Sequence, residues 1–178
     1  LNLNLMGVIR MTKAVLPYMR NQRDGRIINI SSVGGLVGQP FNEIYCATKF
    51  GVEGYTEAMA SYVQPEFNIK FTLIEPGGIQ SEFTNNVMAQ LQSTSGLKDD
   101  EYKPILDSYL GGLKENYGTG SSQTSEEVAI VILNTLEMEE PPIRTRTSDW
   151  SEAFTELKTQ ADPTGKEQQR RVVKLLGK

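Results

Sequence analysis

Residues 30–51 read "ISSVGGLVGQPFNEIYCATKFG", and the spacing inside this stretch decides the fold. Ser31 and Ser32 follow an apolar run, Gly34, Gly35 and Gly38 carry a loop, and Tyr45 and Lys49 stand four apart. An apolar run ending in small polar residues reads as a buried strand reaching its carboxyl end. Asn42, of a type that caps helices, then opens a helix. Residues four apart on a helix share a face, so the tips of Tyr45 and Lys49 can converge. A free tyrosine titrates at about 10, and a nearby ammonium favours the phenolate and pulls that value down. Tyr45 then becomes a usable general acid or base. Ser32, thirteen residues earlier, can donate a hydrogen bond to a substrate oxygen held between it and Tyr45. Tyr-x-x-x-Lys alone describes any amphipathic helix turn; the serine at the end of a buried strand narrows the reading.

Outward from this stretch, helices and strands alternate. Val8, Met11, Thr12, Val15, Leu16 and Met19 recur at three and four, so the chain opens on a helix with Pro17 near its far end. "NQRDG", Asn21 to Gly25, is a polar turn, and "RIINISS", Arg26 to Ser32, is a short strand covered on both faces. The helix from Asn42 is expected to run to about Val63, with Ala47, Gly51, Tyr55, Ala58, Met59 and Tyr62 as its apolar face and Pro65 and Asn68 closing it. "IKFTLIE", Ile69 to Glu75, is a second buried strand, ended by Pro76-Gly77-Gly78. Ser125, Glu126 and Glu127 cap a later helix, with Val128, Val131, Ile132 and Leu136 as its core face. Pro141 to Ser148 is expected to be a last strand, and the tail from Trp150 holds helical pieces broken at Asp162 to Gly165.

This order is that of an α/β protein, the carboxyl-terminal part of a doubly wound Rossmann-type parallel sheet. The connection from Ile79 to Thr124 is far longer than the usual two to six or so residues. Its apolar residues, Phe83, Val87, Met88, Leu91, Ile105, Leu106, Tyr109, Leu110 and Leu113, suggest helices that form a lid over a ligand. One partial domain is expected: a catalytic core over 1–83, a substrate lid over 84–124, and a last helix, strand and tail over 125–178.

Composition removes other classes. With 18 basic and 22 acidic residues and a net charge of -4, the chain has no nucleic-acid footprint. It contains no histidine, which rules out a Ser-His-Asp or Cys-His centre and most zinc sites. One cysteine, Cys46, allows no internal disulfide and fits a reducing, cytoplasmic compartment. No apolar run is long enough for a membrane span. Arg144 and Arg146 read as solvated, and Glu75 and Glu82 form no evident acid–base pair.

Four blocks in order resemble the short-chain dehydrogenase/reductase family of the single-domain type. They are "NLMG" (Asn4 to Gly7), "RIINISS", "YCATK" (Tyr45 to Lys49) and "EPGGIQSEF" (Glu75 to Phe83). Within the family the stretch resembles the estradiol 17-beta-dehydrogenase and retinol dehydrogenase branch. The resemblance implies an NAD- or NADP-dependent enzyme acting on an alcohol or carbonyl, and the lid's apolar residues suggest a hydrophobic substrate. It implies that Tyr45 is the proton donor or acceptor. Lys49 lowers the Tyr45 pKa and bonds the nicotinamide ribose, and Ser32 polarises the substrate oxygen. Asn4 positions a water that links Lys49 to solvent. Pro76, Gly77, Gly78 and Ile79 lie against the nicotinamide, with Ser81 standing where the family usually has threonine, and Phe83 joins Ser32 and Tyr45 at the substrate. A homodimer or homotetramer, using the first two helices, is the implied assembly.

The family's opening strand, its Thr-Gly-x-x-x-Gly-x-Gly turn and the residue that selects NAD or NADP have no counterpart in this sequence. The strand Arg26 to Ser32 should therefore have a bare edge. The chain is expected to be part of a longer enzyme. Its rivals are a non-catalytic interaction or regulatory module unable to bind cofactor, and an epimerase or dehydratase holding NAD tightly; the Pro-Gly-Gly-Ile-Gln-Ser block favours the dehydrogenase type.

Overall fold

The computed structural model describes residues 1–82, 86, 89, 99–116 and 122–174. A π-helical turn, Asn2–Gly7, runs into α1 (Val8–Gln22), followed by β1 (Gly25–Ile30) and α2 (Glu43–Phe67). Then come β2 (Ile69–Glu75), β3 (Gly78–Ile79), α3 (Lys103–Asn116), β4 (Ser122–Gln123) and α4 (Ser125–Glu137). The chain continues through β5 (Arg144–Arg146), α5 (Asp149–Thr159) and α6 (Lys166–Val173).

The main sheet is parallel, in the order β1-β2-β5. Gly25 pairs with Ile69 and Ile30 with Ile74, while Leu73 to Glu75 pair with Arg144 to Arg146. β3 and β4 form a separate short parallel pair beyond the carboxyl end of β2. The α/β parallel fold is therefore as expected. Ile69, Phe71, Leu73 and Ile74 on β2 are fully buried, because a strand with neighbours on both edges and helices on both faces has no wet side. Val52, Ala60 and Val63 of α2 and Ile143 close over them, with Val15, Leu16 and Met19 of α1 packed against this core. Burying a side chain such as Phe71 stabilises the fold by about 1.5–3 kcal/mol. β1 pairs on one edge only among the described residues, and Ile30 there is 42% exposed.

Several expectations are corrected. α1 continues through Pro17 to Gln22, since packing of Val15, Leu16 and Met19 outweighs the one lost helical hydrogen bond; Arg23, left-handed at φ 53°, ends it. β1 ends at Ile30, leaving Ser31 and Ser32 beyond the strand. α2 passes through Pro65 to Phe67 and stops at left-handed Asn68 (φ 56°); Asn42 precedes it without a side-chain cap and donates instead to the Pro40 carbonyl. Its buried stripe runs through Cys46, Val52, Glu53, Thr56, Ala60 and Val63, whereas Ala47, Ala58 and Tyr62 are exposed. Polar residues occupy that stripe because they find partners inside: Asn29 Nδ2 donates to Thr56 Oγ1 at 2.9 Å.

The cap of α4 is Thr124, not Ser125: its hydroxyl accepts from the Glu127 N–H while the Glu127 carboxylate accepts from the Thr124 N–H. On α4, Val128 is buried as expected, but Leu136 is 40% exposed and Thr135 takes the inner position. The last strand is three residues long, and Arg146 is buried, not solvated. α3 supplies the helix expected over Ile105 to Leu110. The expectations for Phe83, Val87, Met88 and Leu91 lie outside the described residues.

Candidate active site

Beyond the end of β1 the chain makes a short 3-10 turn over Val33–Gly35. Ser32, extended and 8% exposed, caps that turn: its Oγ accepts from the Gly34 N–H at 3.1 Å. The same hydroxyl donates to the Pro76 carbonyl at 3.4 Å, and that carbonyl also accepts from the Val33 N–H at 2.9 Å. The serine is thus held between the ends of two neighbouring parallel strands.

Tyr45, in the first turn of α2, lies near enough to Ser32 for the serine hydroxyl to act on its phenol. Gly34 makes the approach possible, since a Cβ there would stand 3.1 Å from Tyr45 Cε1 and 3.5 Å from Ser32 Oγ. Lys49 lies one turn on, its Nζ 5.7 Å from the centre of the Tyr45 ring and donating to the Ile30 carbonyl at 2.9 Å. The structure therefore brings together the three residues that the spacing pointed to. Burial pushes the Tyr45 phenol up, with the nearby Ser32 hydroxyl opposing and the neighbouring Cys46 adding to the rise. The lowering expected from Lys49 is not what sets the Tyr45 value here; burial outweighs the other influences. Burial pushes Lys49 itself down, against the attraction of Glu53.

Asn4 sits half-buried in the π-helical turn, whose next residue, Leu5, seats on Gly51 of α2; a Cβ at Gly51 would come within 3.0 Å of Leu5 Cδ2. The turn thereby lies against α2 two residues past Lys49. Local π geometry of this kind often marks functional sites. After β2, Pro76 is buried, Gly77 is pressed against Trp150 and Gly78 is exposed. A Cβ at Gly77 would stand 2.8 Å from Trp150 Cε3, so the indole ring, stacked on Phe154 at 4.8 Å, needs glycine there. Ile79 is half-buried and Ser81 exposed. Phe83 lies outside the described residues. The rings of Phe41 and Tyr109 meet at 6.0 Å, so α3 touches the loop that leads to Tyr45.

Sequence reading missed a buried charged cluster behind the turn. Glu53 is 6% exposed and Glu75 fully buried; Arg146 Nη1 reaches Glu75 Oε2 at 3.3 Å, and Arg146 Nη2 reaches Glu152 Oε1 at 3.0 Å. Glu53 also stands four residues beyond Lys49, on the stripe that carries Tyr45 and Lys49. An acid at the end of a mostly apolar buried strand, directly after Leu73 and Ile74, was the available signal.

A parallel α/β sheet with a serine, a tyrosine and a lysine gathered at its carboxyl end holds these side chains where such sheets bind ligands. The chain belongs to the short chain dehydrogenase family, whose model matches residues 1–92. It is 47% identical over 114 residues to 3-ketodihydrosphingosine reductase of Bacteroides thetaiotaomicron, an alignment covering 64% of this chain and 40% of that protein. It is 37% identical to retinol dehydrogenase 8 of Bos taurus, covering 91% and 52%, and 35% identical to human 17-beta-hydroxysteroid dehydrogenase type 1, covering 84% and 45%. The chain thus spans about half or less of the length of these relatives. The crystal structure of a short-chain dehydrogenase from Streptomyces avermitilis shares the fold, with a TM-score of 0.69 at 24% identity over 97% of this chain and 60% of that one. Among the described residues no helix is long and apolar enough to cross a membrane.

Proposed function

We propose that this chain carries the catalytic part of an NAD- or NADP-dependent oxidoreductase that interconverts an alcohol and a ketone or aldehyde. The observation that supports it most is the gathering of Ser32, Tyr45 and Lys49 at the carboxyl end of the sheet, with the Lys49 ammonium 5.7 Å from the centre of the Tyr45 ring and Gly34 leaving room for Tyr45 beside Ser32. In reduction, the substrate carbonyl oxygen takes the place between the two hydroxyls. Burial keeps the phenol protonated, so Tyr45 gives its proton to that oxygen while Ser32 donates a hydrogen bond to it. The Lys49 charge, beside the ring, stabilises the phenolate left behind. Oxidation runs the same proton the other way.

The nicotinamide, when bound, supplies or accepts the hydride. Lys49 has three N–H donors and spends one on Ile30, which fits it to ribose hydroxyls. Pro76, Gly77, Gly78, Ile79 and Ser81 would flank the ring, and Asn4 would hold a water on the path from Lys49 to solvent. Residues 1–83 act as the core and 84–124 as a lid, with 125–178 completing the domain. Contact between α3 and Phe41 supports the lid assignment. The names of the relatives, a sphingoid-ketone reductase, a retinol dehydrogenase and a hydroxysteroid dehydrogenase, favour a lipid-like substrate, with Phe83 against it. A homodimer or homotetramer in the cytoplasm completes the reading.

Steady-state consumption of NADH and NADPH should be followed with a 3-keto sphingoid base, retinal and a 17-ketosteroid. Sustained turnover with one of them is expected. A bound nicotinamide that is never consumed from solution would contradict the reading and favour the epimerase type.

A further inference from the structure

Among the described residues, four buried oxygens behind the serine turn have no hydrogen-bond partner: Glu53 Oε1 and Oε2, Glu75 Oε1 and Ser31 Oγ. Unsatisfied buried charge of this kind is strongly unfavourable, so the groups must share protons. Glu53 stands on α2, Glu75 at the end of β2, and Ser31 just past β1. Ser31 and Glu53 converge on Gly35. A Cβ there would stand 2.6 Å from Ser31 Oγ and 2.9 Å from Glu53 Oε1, so these two side chains fill the space that a residue at 35 would need. Gly35 belongs to the turn that Ser32 caps, and its N–H donates to the Ser32 carbonyl at 2.8 Å. On the far side, Glu75 is bound to Arg146, which also donates to the Pro163 carbonyl at 2.8 Å.

We propose that Glu53 and Glu75 share one proton against Arg146, forming a buried latch that fixes the Ser31–Gly35 turn, so that Glu53 is a positioning residue for Ser32. This rests on the oxidoreductase reading only in its last step, the use made of Ser32. A proton on Glu53 lets it donate to the Glu75 carboxylate, and the ion pair with Arg146 keeps Glu75 the anionic member. The charged groups around Glu53 agree with that division. Lys49 and Glu57 lie on α2 itself, Glu75 faces it from β2, and Arg144 and Arg146 bear on Glu75 from β5. Glu57 is neutralised by Arg144 at 2.6 Å, and Glu152 of α5 pairs with Arg146 at 3.0 Å. Burial first, then the Glu75 charge, push Glu53 from its ordinary 4.5 up to about 9. Burial pushes Glu75 up as well, with Arg146 opposing.

The test uses the whole chain and needs neither cofactor nor turnover. The folded protein keeps a proton that the unfolded chain releases, so its stability is greatest below the ordinary glutamate value and is lost as pH rises towards about 9. Denaturant unfolding of wild type should therefore show an unfolding constant that climbs up to about tenfold per pH unit more steeply than in Glu53→Gln across that window. Equal slopes would overturn the shared proton. For positioning, hydrogen exchange at neutral pH should be followed at Val33, Gly34 and Gly35. Glu53→Ala should speed these amides at least about tenfold relative to β2 amides, whereas Glu53→Gln, which keeps a donor, should leave them slow. If Glu53→Ala does not fold, Ser31→Ala replaces it with the same expectation. Turn amides that follow the β2 amides in every variant would overturn the positioning role. Loss of nicotinamide binding would instead contradict the oxidoreductase reading and leave both of these results standing.

Discussion

Helix α2 passes through two different environments within three turns. Tyr45 and Lys49, in its first turns, are half-buried and meet Ser32 and the end of β1 at an open edge of the sheet. Glu53, one turn later on the same stripe, is buried against Ser31 and Gly35 and faces Glu75. One row of polar side chains thus runs from the surface into the interior. The outer pair remains accessible and able to move a proton to a bound molecule. The inner pair is walled in by strands, so its proton and charge can only hold structure. Identical spacing therefore produces chemistry at one end and support at the other, and the depth of the sheet decides which.

The sharpest way to break this contrast is Tyr45→Phe. Removing an outer group should lower kcat about 10²–10⁴-fold, the worth of a positioned acid–base, and leave the denaturation midpoint almost unmoved. Next in size is Glu75→Ala, an inner change. It leaves Arg146, at 8% exposure, with only the half-exposed Glu152 as counter-charge. A destabilisation of about 3–5 kcal/mol is expected in urea unfolding. A value near zero would mean that the cluster is wetter than the structure shows. Gly77→Ala, between the two regions, drives a methyl into Trp150 and should cost about 1–3 kcal/mol. It should also alter the tryptophan fluorescence, since Trp150 is the single tryptophan. The smallest effect belongs to Thr124→Ala, far from both. Loss of its capping box should cost about 1 kcal/mol in thermal unfolding with no change in nicotinamide binding.

The outer region was legible in the sequence, because Ser32, Tyr45 and Lys49 are tied together by local geometry: the end of a strand and one turn of a helix. β2 was legible too, since a strand covered on both faces is mostly apolar, as Ile69, Phe71, Leu73 and Ile74 are. The inner region was not. Glu53 lies among residues that look like the polar side of α2, and Arg146 alternates with Thr145 as if one face were wet. Only the pairing of β2 with β5, over a gap of about seventy residues, brings Glu75 and Arg146 together. For the same reason the apolar face assigned to α2 was rotated from the true one: Thr56 and Glu53 are buried because Asn29 and Glu75 on the strands, and Ser31 just past β1, await them. The cap at Thr124 was missed for a simpler reason, because three successive polar residues compete for that position and only backbone geometry selects among them.

The most direct test of the whole account is a titration of this chain with NADH and NADPH, following nicotinamide fluorescence in wild type and Lys49→Ala. The account predicts saturable binding of at least one cofactor, weakened at least about tenfold by the substitution as ribose hydrogen bonds are lost. Absence of binding in a chain shown by circular dichroism to be folded would contradict it, as would binding that ignores the loss of Lys49.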